Sequence, residues 1–217
     1  MGHKVHPYIF RIGSVYTWKS RWFSRKKYSK FLKQDVILRA FITKKLEKAG
    51  VNSVEIERSA NSINIIVKTA RPGLVIGRGG GGIEELKKEI KKLFEKKTPE
   101  LAKTEIRLEI EEVKQPTAQA NIVAMDLAGQ IERRFPYRRV IKQGLDKIMT
   151  NQEIKGAKIM IKGRLNGNEI ARKEWLSKGR IPLQTLRSNI DYAQATAYTS
   201  YGTVGITIWI YKGDIFD

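Results

Sequence analysis

The sequence predicts an α+β protein of two domains. Three observations carry this expectation. The first half reads as helix, strand, strand, short helix, glycine-rich loop, helix, strand. The second half reads as two helices followed by a run of strand-like segments with hairpin signals. Between them, Lys114-Gln115-Pro116 interrupts the pattern, and 217 residues leave room for two domains of ordinary size.

The elements follow from apolar spacing. Residues 35–50 read as a helix: Asp35 can cap it, Leu38, Ile42 and Leu46 share one face with Ile37 and Phe41 beside them, and Gly50 stops it. Val54 and Ile56 alternate in one strand; Ile63, Ile65 and Val67 alternate in the next, with Asn61-Ser62 as the turn. Pro72 to Ile76 reads as a short helix leading into the glycines. Ile83, Leu86, Ile90, Leu93 and Phe94 then fall at helical spacing over 82–96. Thr104 to Val113 is a strand with Ile106, Leu108 and Ile110 inward and Glu105, Arg107, Glu109 and Glu111 outward. After the break, Thr117 to Arg134 is a helix burying Ala120, Val123, Ala124, Leu127 and Ile131. Pro136 is placed to open a second helix, Tyr137 to Thr150. Ala157, Ile159 and Ile161 alternate, and Asn166-Gly167 signals a hairpin before Glu169 to Leu176. Asp191 to Ser200 and Val204 to Lys212 form a further pair joined around Tyr201-Gly202. The expected architecture of this half is helices on one face of a mostly antiparallel sheet.

Composition narrows the function. The chain is 41% hydrophobic, enough for real cores, yet no apolar run approaches the roughly 18 residues of a membrane span. The N-terminus has no signal-peptide pattern and no membrane partner is expected, and the absence of Cys fits a reducing cytoplasm. There is no Cys, hence no disulfide and no thiolate chemistry. The two histidines, His3 and His6, both lie near the N-terminus, so histidine chemistry in a core is excluded. As a pair they could hold a metal, although contact with RNA or another protein is the better reading. A nuclease would need a carboxylate cluster or a catalytic histidine, and an ATP-driven helicase would need a Gly-Lys-Ser/Thr loop. Neither pattern is present, and no catalytic residue, metal or cofactor is expected.

A formal net charge of +20 points instead to nucleic-acid phosphate. From Met1 to Gln34 there are nine Lys/Arg and no Asp or Glu, interleaved with Trp18, Trp22, Phe23 and Tyr28. Such a basic N-terminal arm, residues 1–34, can screen phosphates while its rings stack on bases; a plainer reading is a solvated tail. Residues 35–114 and 115–217 then form the two domains.

The most informative stretch is Leu74 to Leu86, LVIGRGGGGIEEL. Glycines let the backbone approach a bulky partner, and the following helix start offers free N–H groups and a positive dipole end. Glu84 and Glu85 are adjacent on that helix and diverge, so they read as capping or solvated carboxylates. The helix–GxxG–helix arrangement, in this element order, resembles a KH domain of type II, with a three-stranded sheet covered on one face by helices. Its loop maps to Gly77, Arg78, Gly79 and Gly80, and in that family the loop clamps single-stranded RNA backbone. Gly81 and Gly82 replace the more usual polar residues, which predicts a looser loop.

The resemblance extends along the chain. Met1 to Pro7 (MGHKVHP), Thr69 to Gly73 (TARPG), Lys162 to Gly167 (KGRLNG), Glu169 to Trp175 (EIARKEW), Gly179 to Arg187 (GRIPLQTLR) and Trp209 to Gly213 (WIYKG) are similar to the third protein family of the bacterial small ribosomal subunit. That resemblance implies a structural RNA-binding role in the small subunit, with 16S rRNA, messenger and the subunit's proteins ten and fourteen as partners. It implies that Arg133, Arg134, Arg138, Arg139 and Lys142 line the messenger entrance and assist unwinding; without it, a solvated basic face is the plainer, lesser alternative for the same cluster. It also implies rRNA contacts at Lys4, His6, Lys19, Arg21, Arg25, Lys26 and Lys27, and at Arg164, Arg172, Lys173, Arg180 and Arg187. Trp175 and Trp209, in strands, read as core or interface packing rather than base platforms.

Overall fold

Apolar periodicity resolves into two separate cores. The computed structural model describes residues 4–59, 62–97 and 105–216. Residues 18–114 form one unit, and residues 115–217 form the other together with the N-terminal segment ending at Thr17.

The 18–114 unit contains strand β1 (Ser20–Arg21), helix α2 (Tyr28–Lys45), strands β2 (Val51–Arg58) and β3 (Ser62–Thr69), the short helix α3 (Pro72–Ile76), helix α4 (Gly81–Lys97) and strand β4 (Glu105–Glu112). The preceding α1 (Pro7–Phe10) belongs to the other unit. The strand order is β1-β2-β3-β4. β2 and β3 are antiparallel, β3 and β4 parallel, and β1 adds a two-residue parallel edge to the three expected strands. Leu38 and Ile42 of α2 and Leu86, Ile90 and Phe94 of α4 are buried with Ile56, Ile63, Ile65, Val67 and Ile106 of the sheet. The alternation in β4 holds: Ile106 and Leu108 point into this core, while the outward row is charged. On that outward face Lys68 bridges Glu55 at 3.0 Å and Glu111 at 3.4 Å. Of the expected turn Asn61-Ser62, Ser62 opens β3, and Asn61 lies outside the described residues, as does Thr104.

Asp35 does not cap a helix. α2 begins seven residues earlier, at Tyr28, and Asp35 sits in its middle, fully buried. Its carboxylate is saturated: Oδ1 accepts from Arg58 Nε at 3.0 Å, and Oδ2 accepts from Ser20 Oγ and Trp22 Nε1, both at 2.8 Å. The Arg58 guanidinium also donates to Gln34 Oε1 at 2.9 Å and lies 4.8 Å from the centre of the Phe31 ring. A buried charge without such partners would be prohibitively costly, so this one carboxylate gathers β1, α2 and β2.

The other unit continues with helices α5 (Ala120–Glu132) and α6 (Tyr137–Met149) and strands β5 (Gly156–Gly163), β6 (Arg172–Gly179), β7 (Ser188–Thr199) and β8 (Gly202–Asp214). The sheet order is β6-β5-β8-β7, every pair antiparallel. Leu127, Ile131, Val140, Leu145 and Ile148 of the helices pack on Ile159, Ile161, Ile206 and Ile208. α5 starts at Ala120 rather than Thr117 because Pro116–Ala118 turns as a 3-10 segment. Asp191 of β7 supplies its cap, accepting the Ala120 N–H at 2.8 Å. β6 starts at Arg172 rather than Glu169. Asn166 and Gly167 adopt left-handed backbone, and the Arg164 guanidinium holds the carbonyl oxygen of Asn168 at 3.0 Å, so residues 168–171 remain in the connection.

The expected arm is not a separate element; its first part belongs to one unit and its second to the other. Arg11 is the cause in the first part. It is fully buried and donates to the carbonyl oxygens of Pro7 (3.0 Å), Pro182 (3.2 Å), Leu183 (2.9 Å) and Thr185 (2.9 Å). Burial holds its basicity below the ordinary arginine value. Tyr16 Oη donates to Asn189 Oδ1 at 2.7 Å. In the second part, β1 pairs with β2, and Arg21 bridges Glu57 at 2.6 Å and Glu55 at 3.1 Å.

Asp35→Ala should destabilise the 18–114 unit by about 3–5 kcal/mol, because Arg58 is left buried without its counter-charge. Hydrogen exchange in α2 and β2 measures it. Unchanged protection there would show that the pair is dispensable.

Candidate nucleic-acid interface

The glycine loop is built by two helix ends. α3 stops at Ile76; Gly77 takes φ 69°, and Arg78–Gly80 make a tight turn with Gly79 at φ 61° and Gly80 at φ 80°. Side chains would be strained at all three glycines. Around Gly79 and Gly80 there is open space, so the backbone of the turn is uncovered there, with the α4 N-terminus following it. The loop is nevertheless not loose throughout. A Cβ on Gly82 would lie 2.5 Å from the Val75 carbonyl oxygen and 3.0 Å from that of Ile76, so α4 starts directly against α3, and only glycine allows it. Gly81 has open space. Lys87 and Lys88 follow one turn on.

The second basic group forms where α5 hands over to α6. Arg133 closes α5, and Arg134 continues in left-handed backbone at φ 64°. The N–H of Phe135 reaches back to the Gln130 carbonyl oxygen at 3.1 Å, the closing bond of a helix terminus that ordinarily places glycine where Arg134 stands. α6 buries Tyr137, Val140, Ile141, Leu145 and Ile148, which leaves Arg138, Arg139 and Lys142 exposed. Neither acid closest in sequence faces this group. Glu132 accepts the Tyr198 N–H at 2.8 Å, and Asp146 pairs with Lys178 at 3.6 Å. The carboxylate that does is Glu174 of β6. It accepts from Tyr137 Oη at 2.8 Å and stands 3.7 Å from Arg138, whose Nε lies 3.2 Å from Tyr137 Oη. The Tyr137 hydroxyl and Glu174 raise the basicity of Arg138. No ion pair engages Arg133, Arg134, Arg139 or Lys142 among the described residues.

The other predicted RNA contacts differ in their burial and partners. Arg21 faces two glutamates, and Arg164 donates to the carbonyl oxygens of Asn168 and Tyr201, both at 3.0 Å. His6 caps α1 by accepting the Tyr8 N–H at 3.2 Å and sets its ring against Tyr192. His3 lies outside the described residues, and among the described residues no cluster of His, Cys, Asp or Glu could hold a metal. Lys4, Lys19, Arg25, Lys26, Lys27, Arg172, Lys173, Arg180 and Arg187 are exposed. Trp175 and Trp209 are not core residues. Trp175 is 55% exposed on the outer face of the sheet, and Lys158 Nζ lies 4.5 Å from its ring and 5.5 Å from that of Trp209. Glu174 and Lys158 carry no signal of this role in the sequence; only strand register brings each to its partners.

Comparison with known proteins decides the family. Residues 37–118 match the KH domain, and residues 127–210 match the ribosomal protein S3 C-terminal domain. Proteins called small ribosomal subunit protein uS3 align along the whole chain. That of Koribacter versatilis is 46% identical over 99% of this chain and 92% of its own length. That of Caldicellulosiruptor saccharolyticus is 47% identical over 99% and 94%, and that of Lawsonia intracellularis 46% over 100% and 98%. The chain belongs to the uS3 family. This is a family of ribosomal proteins, and it sets aside the nuclease and free-helicase alternatives. The KH match covers the glycine loop, and the uS3 C-terminal match covers both Arg133-Arg134 and α6. No described helix is long and apolar enough to cross a membrane.

The two loop glycines beyond the GxxG should behave oppositely. Gly82→Ala should cost about 1–3 kcal/mol by forcing α3 and α4 apart. Gly81→Ala, in open space, should be neutral or stabilising by up to about 1 kcal/mol. Thermal denaturation of the two variants compares them directly.

Proposed function

We propose that the protein is a structural constituent of the small ribosomal subunit, working in the cytoplasm. In this reading it binds 16S rRNA, adjoins proteins ten and fourteen, and presents the α5–α6 cations to messenger at its entrance. The single observation that carries the messenger reading is the set Arg133, Arg134, Arg139 and Lys142, held outward at a helix turn where Glu132 and Asp146 are engaged elsewhere and Glu174 meets Tyr137 and Arg138. Fixed cations at a narrow opening can hold separated strands by their phosphates, with no nucleotide hydrolysis at the site. The exposed GxxG turn supports a second contact with single-stranded RNA through backbone N–H groups, with little base preference.

Replacing Arg138, Arg139 and Lys142 by Ala should cost little stability, since all three are exposed. It should slow translation of messengers with a stable hairpin ahead of the ribosome and leave unstructured messengers near normal. Single-ribosome elongation on matched templates separates the two; equal slowing on both would remove the unwinding role.

The rRNA reading is tested without removing the N-terminal segment, because deletion would take away Arg11, Ser20 and Trp22 and damage both units. Replacing Arg25, Lys26 and Lys27 by Ala should instead flatten the salt dependence of RNA binding, by about 0.7–0.9 log units for each phosphate that is no longer neutralised. An unaltered slope in a salt titration would make these residues bystanders.

A further inference from the structure

A cavity of about 420 Å³ opens beside the turn between α5 and α6. Phe135, Tyr198 and Tyr201 line it with Arg134, Asn166 and Arg164, all within one unit. Four features mark it as built for a ligand. Its size falls in the range of small-molecule sites. Three of its four aromatic residues remain exposed, Tyr198 at 73%, Tyr201 at 51% and Phe135 at 47%, and only Tyr137 is buried, although apolar faces gathered at one place ordinarily bury one another. The two non-glycine residues with left-handed backbone among the described residues, Arg134 (φ 64°) and Asn166 (φ 55°), both lie on its wall. Backbone strain of this kind clusters at binding sites, where the surroundings enforce it. Finally, Tyr201 is braced: its ring rests on Gly167, where a Cβ would come within 3.3 Å, and its carbonyl oxygen accepts from Arg164 at 3.0 Å.

The chemistry of the walls selects the ligand. Aromatic faces suit a flat ring, and Arg134 suits an anion attached to it. Glu132 also lines the cavity, but its carboxylate accepts the Tyr198 N–H and is outnumbered by Arg134 and Arg164. We propose that this cavity receives one unstacked nucleobase of single-stranded RNA, stacked on the exposed rings, with its phosphate held by Arg134. The proposal rests on the α5–α6 turn facing RNA, and it does not require strand separation.

The test uses the full chain and a short single-stranded RNA carrying 5-bromouridine. Irradiation should place adducts on Phe135, Tyr198 or Tyr201, mapped by mass spectrometry. Tyr198→Ala should weaken binding of the unmodified RNA by about 5- to 100-fold, and binding of an abasic version with the same phosphates should not change. Tyr201→Phe, which keeps the stacking face, should bind as the parent does. Circular dichroism checks that Tyr198→Ala remains folded. Adducts confined to other residues, equal weakening of both RNAs, or no weakening of either would overturn the proposal. So would a photoreactive side chain at position 198 that crosslinks a neighbouring protein instead of RNA in assembled subunits. If the hairpin-dependent slowing were absent while the base dependence held, unwinding would fail and this site would stand. If the chain bound neither RNA, the RNA-facing reading itself would fail with it.

Discussion

A charge removed from water must meet its partners inside the protein, and two such charges organise this chain. Asp35 is the stronger constraint. Buried in the middle of α2, it can exist only with Arg58, Ser20 and Trp22 in place, so one carboxylate dictates where β1 lies and how β2 meets the helix. Arg11 does the same elsewhere by different means. It has no carboxylate, and four carbonyl oxygens share its protons. A basic stretch that would otherwise be solvated is thereby sewn into both units.

These constraints also sort the cations. A net charge of +20 treats every Lys and Arg alike, but Arg11, Arg21, Arg58 and Arg164 are engaged by the protein itself. Lys45, Lys68, Lys178 and Lys212 likewise meet carboxylates. Two groups of exposed cations stand where the backbone turns, Arg133, Arg134, Arg139 and Lys142 at the α5–α6 junction and Arg25, Lys26 and Lys27 before α2. The positive field is therefore set less by the number of cations than by where acids and carbonyls are absent.

Much of the fold was legible because apolar spacing is a local signal. Ile83, Leu86, Ile90 and Phe94, or Ile106 and Leu108, announce their element and their buried face with no other information. The glycine loop was legible for the same reason, and its match to a family extended it. What could not be read were partnerships between distant residues. Asp35 before an apolar run has the form of a helix cap, and only the approach of Arg58 shows otherwise. Glu174 was invisible as the companion of Arg138, since strand register, not spacing, brings it there. The predicted looseness at Gly82 failed similarly: a missing side chain looks like slack until the carbonyl oxygen of Val75 is seen against it. Strand β6 started late because the left-handed turn at Asn166 and Gly167 consumed residues that alternation alone assigned to the strand.

The position of Arg11 bears on how the protein is made. Its acceptors Pro182, Leu183 and Thr185 lie more than 170 residues further along, and the whole 18–114 unit is encoded between them. At about 5–20 residues per second, the ribosome synthesising this chain delivers those acceptors roughly 10–30 s after Arg11 has been made. A segment made before the 18–114 unit is thus among the last to find its place, and the inserted unit can be complete while the enclosing one is still waiting. During that interval the N-terminal segment is an exposed basic strand bearing apolar side chains.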